Sequence, residues 1–206
     1  LIVNVFYNEK GIGDTLIVSI QEITREQRAF ETKGDVVKIF DEETKALSGF
    51  NIFHASRHFS LDANGKVELT EAFVDELNRV IQGAGFSEQL DVDLSPKFVV
   101  GYVSELEKHP NADKLSICQV DVGEGEQLQI VCGAPNVAQG QKVVVAKVGA
   151  VMPSGLLIKP SNLRGVDSFG MLCAARELAI PDAPQEKGIL VLDDSAETGS
   201  VFSVSF

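Results

Sequence analysis

After Pro96 the chain repeatedly sets down a short run rich in valine, isoleucine and leucine, and most of these runs are set off from the next by a glycine-containing turn. The runs lie at 98–103, 115–122, 128–132, 143–148 and around 171–175. The turns include Gly123-Glu124-Gly125, Gly133-Ala134-Pro135-Asn136 and Gly149. β-Branched residues bracketed by turn formers read as strands, and the runs are too short for typical helices. Five such strands with little helix in roughly a hundred residues suit a small closed barrel of the OB type. An SH3-like barrel or a sandwich shares this periodicity, so spacing leaves those two open.

The residues before this series read differently. Apolar runs at 1–6 and 15–20 flank Asn8-Glu9-Lys10-Gly11-Ile12-Gly13-Asp14, a turn-rich connection that predicts a hairpin. Runs at 36–40 and 50–53 predict a second hairpin, and Asn64-Gly65 supplies a third tight turn of type I′ chemistry. Thr70 caps a predicted helix reaching about Gln82, with Phe73, Val74, Leu77, Val80 and Ile81 on one face. Leu69 and Val74 are placed as a hydrophobic staple, and Gly83 or Gly85 ends the helix. Asp91-Val92-Asp93 and Ser95-Pro96 mark the boundary. The expectation is two domains: a small α+β domain over 1–94 and an all-β OB barrel over 95–206.

Charge bears on partners. The 206 residues carry a formal net charge of −12, which opposes nucleic acid, because phosphate binding needs local positive charge. The excess is uneven. Residues 1–94 hold 9 basic and 17 acidic side chains, whereas 95–206 hold 9 and 13. Between 142 and 176, Lys142, Lys147, Lys159, Arg164 and Arg176 face only Asp167. Binding follows the local field rather than the sum. No long apolar segment or leader pattern is visible, so a cytoplasmic protein with no membrane partner is expected. Cys118, Cys132 and Cys173 form no CxxC and read as reduced, buried thiols.

Three stretches carry a family resemblance: "HPNADKLSICQVDVG" from His109, "IVCGAPNVAQGQKVVVAKVGAVMPSG" from Ile130 and "LRGVDSFGMLCAARELAI" from Leu163. In this order they resemble the tRNA-binding domain near the start of the bacterial phenylalanyl-tRNA synthetase beta subunit. A related domain ends many methionyl-tRNA synthetases. With its own N-terminal half, the chain resembles the small stand-alone bacterial proteins of the YtpR family. The resemblance implies an OB-fold that holds tRNA by shape and backbone, without aminoacylation, since these residues leave no room for an ATP-binding catalytic domain.

Carried over by motif, Lys114 and Arg164 would contact phosphates and Ser168 would donate to phosphate or ribose. Met171 would meet a base or sugar, Asn136 would make a polar contact, and Lys142 and Lys159 would strengthen the field. Stacking capacity is thin: the aromatics of this half are Phe98, Tyr102, Phe169, Phe202 and Phe206. Recognition should therefore be weak, salt-sensitive and dependent on folded RNA. Read without the family, Arg164 is a turn residue paired with Asp167. The alternative function is a protein-interaction module, its acidic first half docking on a basic partner. Pairing two barrels into a homodimer would enlarge the binding face.

Other constellations are weaker. His54 and His58 have i, i+4 spacing but no third ligand, and His109, Asp113, Cys118 and Cys132 form no convincing zinc set. Apolar neighbours argue that Cys173 is inert. "KGIGD" from Lys10 lacks the Lys-Ser/Thr of a phosphate loop. No catalytic residue, metal or cofactor is assigned.

Overall fold

A computed structural model describes residues 1–204, in two units that part between Ser95 and Pro96. The first unit comprises β1 (Asn4–Tyr7), α1 (Glu9–Ile12), β2 (Thr15–Ser19), β3 (Arg28–Lys33), β4 (Val36–Asp41), β5 (Leu47–Phe53), β6 (Gly65–Val67) and α2 (Glu71–Gly83). Its six strands form one antiparallel sheet in the order β3-β4-β5-β2-β1-β6. Alternation sends Val5, Tyr7, Leu16, Val18, Val36, Phe50 and Ile52 to one face, where they bury against Leu77 and Ile81 of α2.

Both predicted hairpins are present, although the first carries a single helical turn, α1, capped where Asn8 Oδ1 accepts from Gly11 N at 2.8 Å. Thr70 caps α2 by accepting from Phe73 N at 3.2 Å. Gly85, at φ 98°, ends α2 in a Schellman turn: Phe86 N donates to Ile81 O and Gly85 N to Gln82 O.

Two further features differ from the sequence reading. Strand β3 was not expected, because its residues Arg-Ala-Phe-Glu-Thr-Lys lack a buried alternation; it lies on the sheet edge and owes its form to pairing with β4. Asn64-Gly65 does not close a hairpin. Gly65 instead opens β6, which pairs with the free edge of β1 in the register Tyr7↔Gly65, and no adjacent strand competes for it.

The second unit comprises β7 (Phe98–Lys108), β8 (Ser116–Asp121), β9 (Gln127–Cys132), β10 (Lys142–Lys147), β11 (Ser161–Leu163), β12 (Val166–Ser168), β13 (Gly170–Leu172) and β14 (Val191–Leu192). The sheet runs β13-β10-β7-β8-β9, with β14 also on β10. It curls nearly closed, since Phe169 N donates to Gln129 O at 2.8 Å and Val131 N to Ser168 Oγ at 3.0 Å. This is the small barrel expected from the glycine-punctuated runs. Strand β7 serves both walls: its first half pairs with β10, its second with β8, and a bulge between Val103 and Glu105 turns it.

Alternation along β10 serves two cores. Val143 and Val145 face the barrel interior with Val103, Val120 and Ile130, whereas Val144 and Ala146 pack outward against Met152, Ile158, Cys173 and Leu178. That double burial explains the continuous "VVVA". Gly101 is required where β7 crosses the interior, because a Cβ there would sit 2.5 Å from Val145 Cγ2 and 2.7 Å from Val120 Cγ1.

Candidate nucleic-acid interface

Arg164 and Gly165 form the two-residue tip of the β11–β12 hairpin, with φ of 52° and 92°. Positive φ at both positions is the twist-matched hairpin turn, and its usual first residue is Asn, Asp or Gly. An arginine there accepts left-handed strain and is held by its surroundings. Asn162 Oδ1 accepts from Gly165 N at 2.9 Å and Asn162 Nδ2 donates to Asp167 Oδ1 at 2.7 Å. Asp167 is thus occupied by the asparagine amide rather than by the guanidinium.

The hairpin is pinned to the 109–115 loop. His109 is buried; Asn111 N donates to its Nδ1 at 3.0 Å, so Nε2 carries the proton it donates to Leu163 O at 2.8 Å. Asn111 Nδ2 reaches Arg164 O at 3.4 Å, and Arg164 Nη1 reaches Asn111 O at 3.5 Å. Lys114 is exposed on the same loop. Sequence reasoning set His109 beside possible zinc ligands; the structure makes it the pin that joins the two cationic loops.

Beyond this rim lies a groove. The 109–115 loop borders it at Gly133, where a Cβ would come within 3.2 Å of Leu115 Cδ2. One cavity of about 280 Å³ runs past Gly133, Pro135, Met171, Arg176 and Lys187. It shares Met171, Arg176 and Glu177 with a second of about 520 Å³, walled by Met152, Pro153 and Leu156. Half-buried Met171 borders both, as an apolar surface should. Arg176 and Lys187 are the cations that motif reasoning left out. Arg176 follows the last apolar run directly, but only the tertiary fold returns Lys187 to the same groove.

The remaining candidates divide. Ser168 requires correction: it is buried, its Oγ accepts from Val131 N and reaches Gly170 O at 3.4 Å, and it closes the barrel seam instead of facing a ligand. Asn136 is likewise structural. Its Nδ2 donates to Ile189 O at 3.0 Å and its Oδ1 accepts from Ile189 N at 2.9 Å, which fixes the loop that bears Lys187. Lys142 stands four residues along β10 from Ala146, the register partner of Met171, a separation of about 13 Å along the strand. Its Nζ donates to Thr198 Oγ1 at 2.6 Å and lies 5.3 Å from the Tyr102 ring. Lys159 is exposed on the segment leading into β11. Lys147 is paired with Glu126 at 2.6 Å. Among the aromatics, Phe98 is buried, Phe202 half-buried, and Tyr102 and Phe169 are exposed; Phe206 lies outside the described residues.

The thiols offer no nucleophile. Burial pushes Cys118 and Cys173 up to about 12 and raises Cys132 as well. His54 and His58 do not converge on open space: Nδ1 of the first and Nε2 of the second each lie 3.0 Å from Asp35. No helix among the described residues is long and apolar enough to cross a membrane.

A nearly closed β-barrel whose rim loops carry cations defines the second unit as an OB-type domain. A family model described as "Putative tRNA binding domain" matches residues 98–201, and one described as "Domain of unknown function (DUF4479)" matches 23–93. Over 97% of its length the chain is 64% identical to a Bacillus subtilis protein named "Putative tRNA-binding protein YtpR", 98% of which is covered. It is also similar to phenylalanine–tRNA ligase beta subunits. It is 54% identical to that of Nitratidesulfovibrio vulgaris over 52% of this chain, and 56% identical to that of Halalkalibacterium halodurans over 50%, covering 13% of each subunit. The chain belongs to the YtpR family of proteins with a tRNA-binding domain.

Proposed function

We propose that this chain is a non-catalytic tRNA-binding protein whose barrel holds folded tRNA by shape and phosphate contact. The observation that carries this reading is Arg164, held in a left-handed conformation at a hairpin tip and pinned beside the loop of Lys114. An asparagine would occupy that turn with less strain, so an arginine at the tip points to a use for its guanidinium. Arg164 and Lys114 contact phosphates at the rim, Arg176 and Lys187 extend the cationic path into the groove, and Met171 meets a base or ribose. Lys142 and Lys159 contribute field rather than direct contact. Membership of a family named for tRNA binding supports the same reading.

Phosphate contacts give affinity without strong sequence preference, and structured RNA is recognised mainly through shape and backbone. Titrating the full chain with several purified tRNAs at low salt should show binding to all of them. Arg164→Ala should weaken each by a similar factor. Absence of tRNA affinity at low salt would overturn the function, and unchanged affinity in the variant would remove Arg164 from the site.

A further inference from the structure

The first unit presents a sheet face that its own helix does not cover. Helix α2 packs on the side of Val5, Leu16 and Phe50, while the alternate residues point away. An antiparallel sheet with one buried face is ordinarily polar on the other. Here the outward positions carry Phe6, Ile17, Phe30, Val37, Ile39 and Phe53, linked across the strands by the registers Phe6↔Ile17 and Phe30↔Ile39. Phe30 is 73% exposed and Phe53 43% exposed. Asn51, half-buried between Ile17 and Val37, places an amide at the centre.

Charge on this face runs against its domain. Arg28 and Lys66 project from the same side as Phe30 and Phe6. Glu31 falls on the opposite parity, where it pairs with Lys33 and Lys38. Asp41, across from Arg28, is the one carboxylate at these strand positions among the described residues. It is buried, with Oδ1 accepting from Glu43 N at 3.0 Å and Thr44 N at 2.8 Å. Although the unit holds 17 acidic side chains, the strand positions of the face that bears its exposed phenylalanines thus carry no exposed carboxylate among the described residues.

We infer that this face is a second RNA surface, on which unpaired nucleotides stack against Phe30 and Phe53 while Arg28 attracts the backbone. Open sheets with exposed aromatics read single-stranded RNA in this way, and stacking tolerates any base. The two rings sit two strands and about four residues apart, a separation on the order of 16 Å, which two or three unstacked nucleotides span. The surface is distinct from the barrel rim, and its ligand is single-stranded rather than folded RNA.

The test uses the full chain and a labelled, unstructured oligoribonucleotide of mixed sequence, read by fluorescence anisotropy at low salt. Arg164→Ala and Lys114→Ala are combined to weaken the rim. In that background Phe30→Ala and Phe53→Ala should each lower affinity about five- to 150-fold, while Phe53→Tyr keeps it. Both side chains are exposed, so thermal unfolding should stay unchanged. Failure of the oligonucleotide to bind overturns the proposal, as does wild-type affinity in the alanine variants. So does a result in which they convert a dimer to a monomer in sedimentation without altering RNA affinity, which would make the occupant a second copy. Folded-tRNA binding by the chain with an intact rim reports separately on the barrel.

Discussion

Replacing Ser168 with alanine separates a structural role from an RNA-binding one. Ser168 is 2% exposed, and its hydroxyl accepts from Val131 N at 3.0 Å and reaches Gly170 O at 3.4 Å. The substitution leaves the amide of Val131, itself buried, without that acceptor at the seam where β12 meets β9. Stranding a buried donor costs about 1–3 kcal/mol. For a unit of this size, which unfolds with about 0.23 kcal/mol per degree of entropy, that loss lowers the melting temperature by roughly 4–13 °C. Phe169 N to Gln129 O and Gln129 Nε2 to Asp167 O, both 2.8 Å, still hold the seam, so the barrel should fold. Differential scanning calorimetry should register the lowered transition of the second unit. Filter binding well below it should give wild-type affinity for tRNA. An unshifted melting temperature together with weakened tRNA binding would refute the argument, because the hydroxyl would then be facing the ligand.

If Lys114, Arg164, Arg176 and Lys187 each neutralise one phosphate, a log–log plot of tRNA affinity against salt should have a slope of about −2.8 to −3.6. Affinity would then fall about 50- to 150-fold between 50 and 200 mM; a flat plot refutes the cationic path. Gly101→Ala forces a Cβ to within 2.5 Å of Val145 Cγ2 and should destabilise the barrel by about 1–3 kcal/mol in denaturant titration, whereas an unchanged midpoint means the crossing is looser than described. Hydrogen bonds from His58 and then His54 hold the Asp35 carboxyl below the usual carboxylate range. A depressed value contributes stability that is complete above the unfolded value of about 3.9 and is lost as pH falls through the folded one. Melting temperatures of Asp35→Asn should therefore drop less steeply than wild type below about pH 4, and parallel curves would contradict the assignment.

What could be read in advance was local. Glycine-bounded runs of β-branched residues specify the barrel strands because a strand needs only its own pleat, turn residues and a buried face. Thr70, the stripe from Phe73 to Ile81 and Gly85 specify α2 for the same reason: capping and amphipathicity are set within a few residues. Arg164-Gly165 marked a turn, and motif order marked Arg164 and Lys114 together. Strand β3 escaped because an edge strand with mostly exposed side chains needs no apolar alternation, only a neighbour.

Tertiary structure decided which polar side chains face outward. Ser168 and Asn136 look like ligand donors in a motif, yet one closes a barrel seam and the other clamps Ile189, contacts separated by 37 and 53 residues. Lys187 enters the groove through that same clamp, and His109 becomes a pin only when the β11–β12 hairpin folds back upon it. Residue type and spacing fix what a segment prefers to be. The direction of a side chain, and the company it keeps, depend on backbone groups that arrive from distant parts of the chain and must find partners once water is excluded.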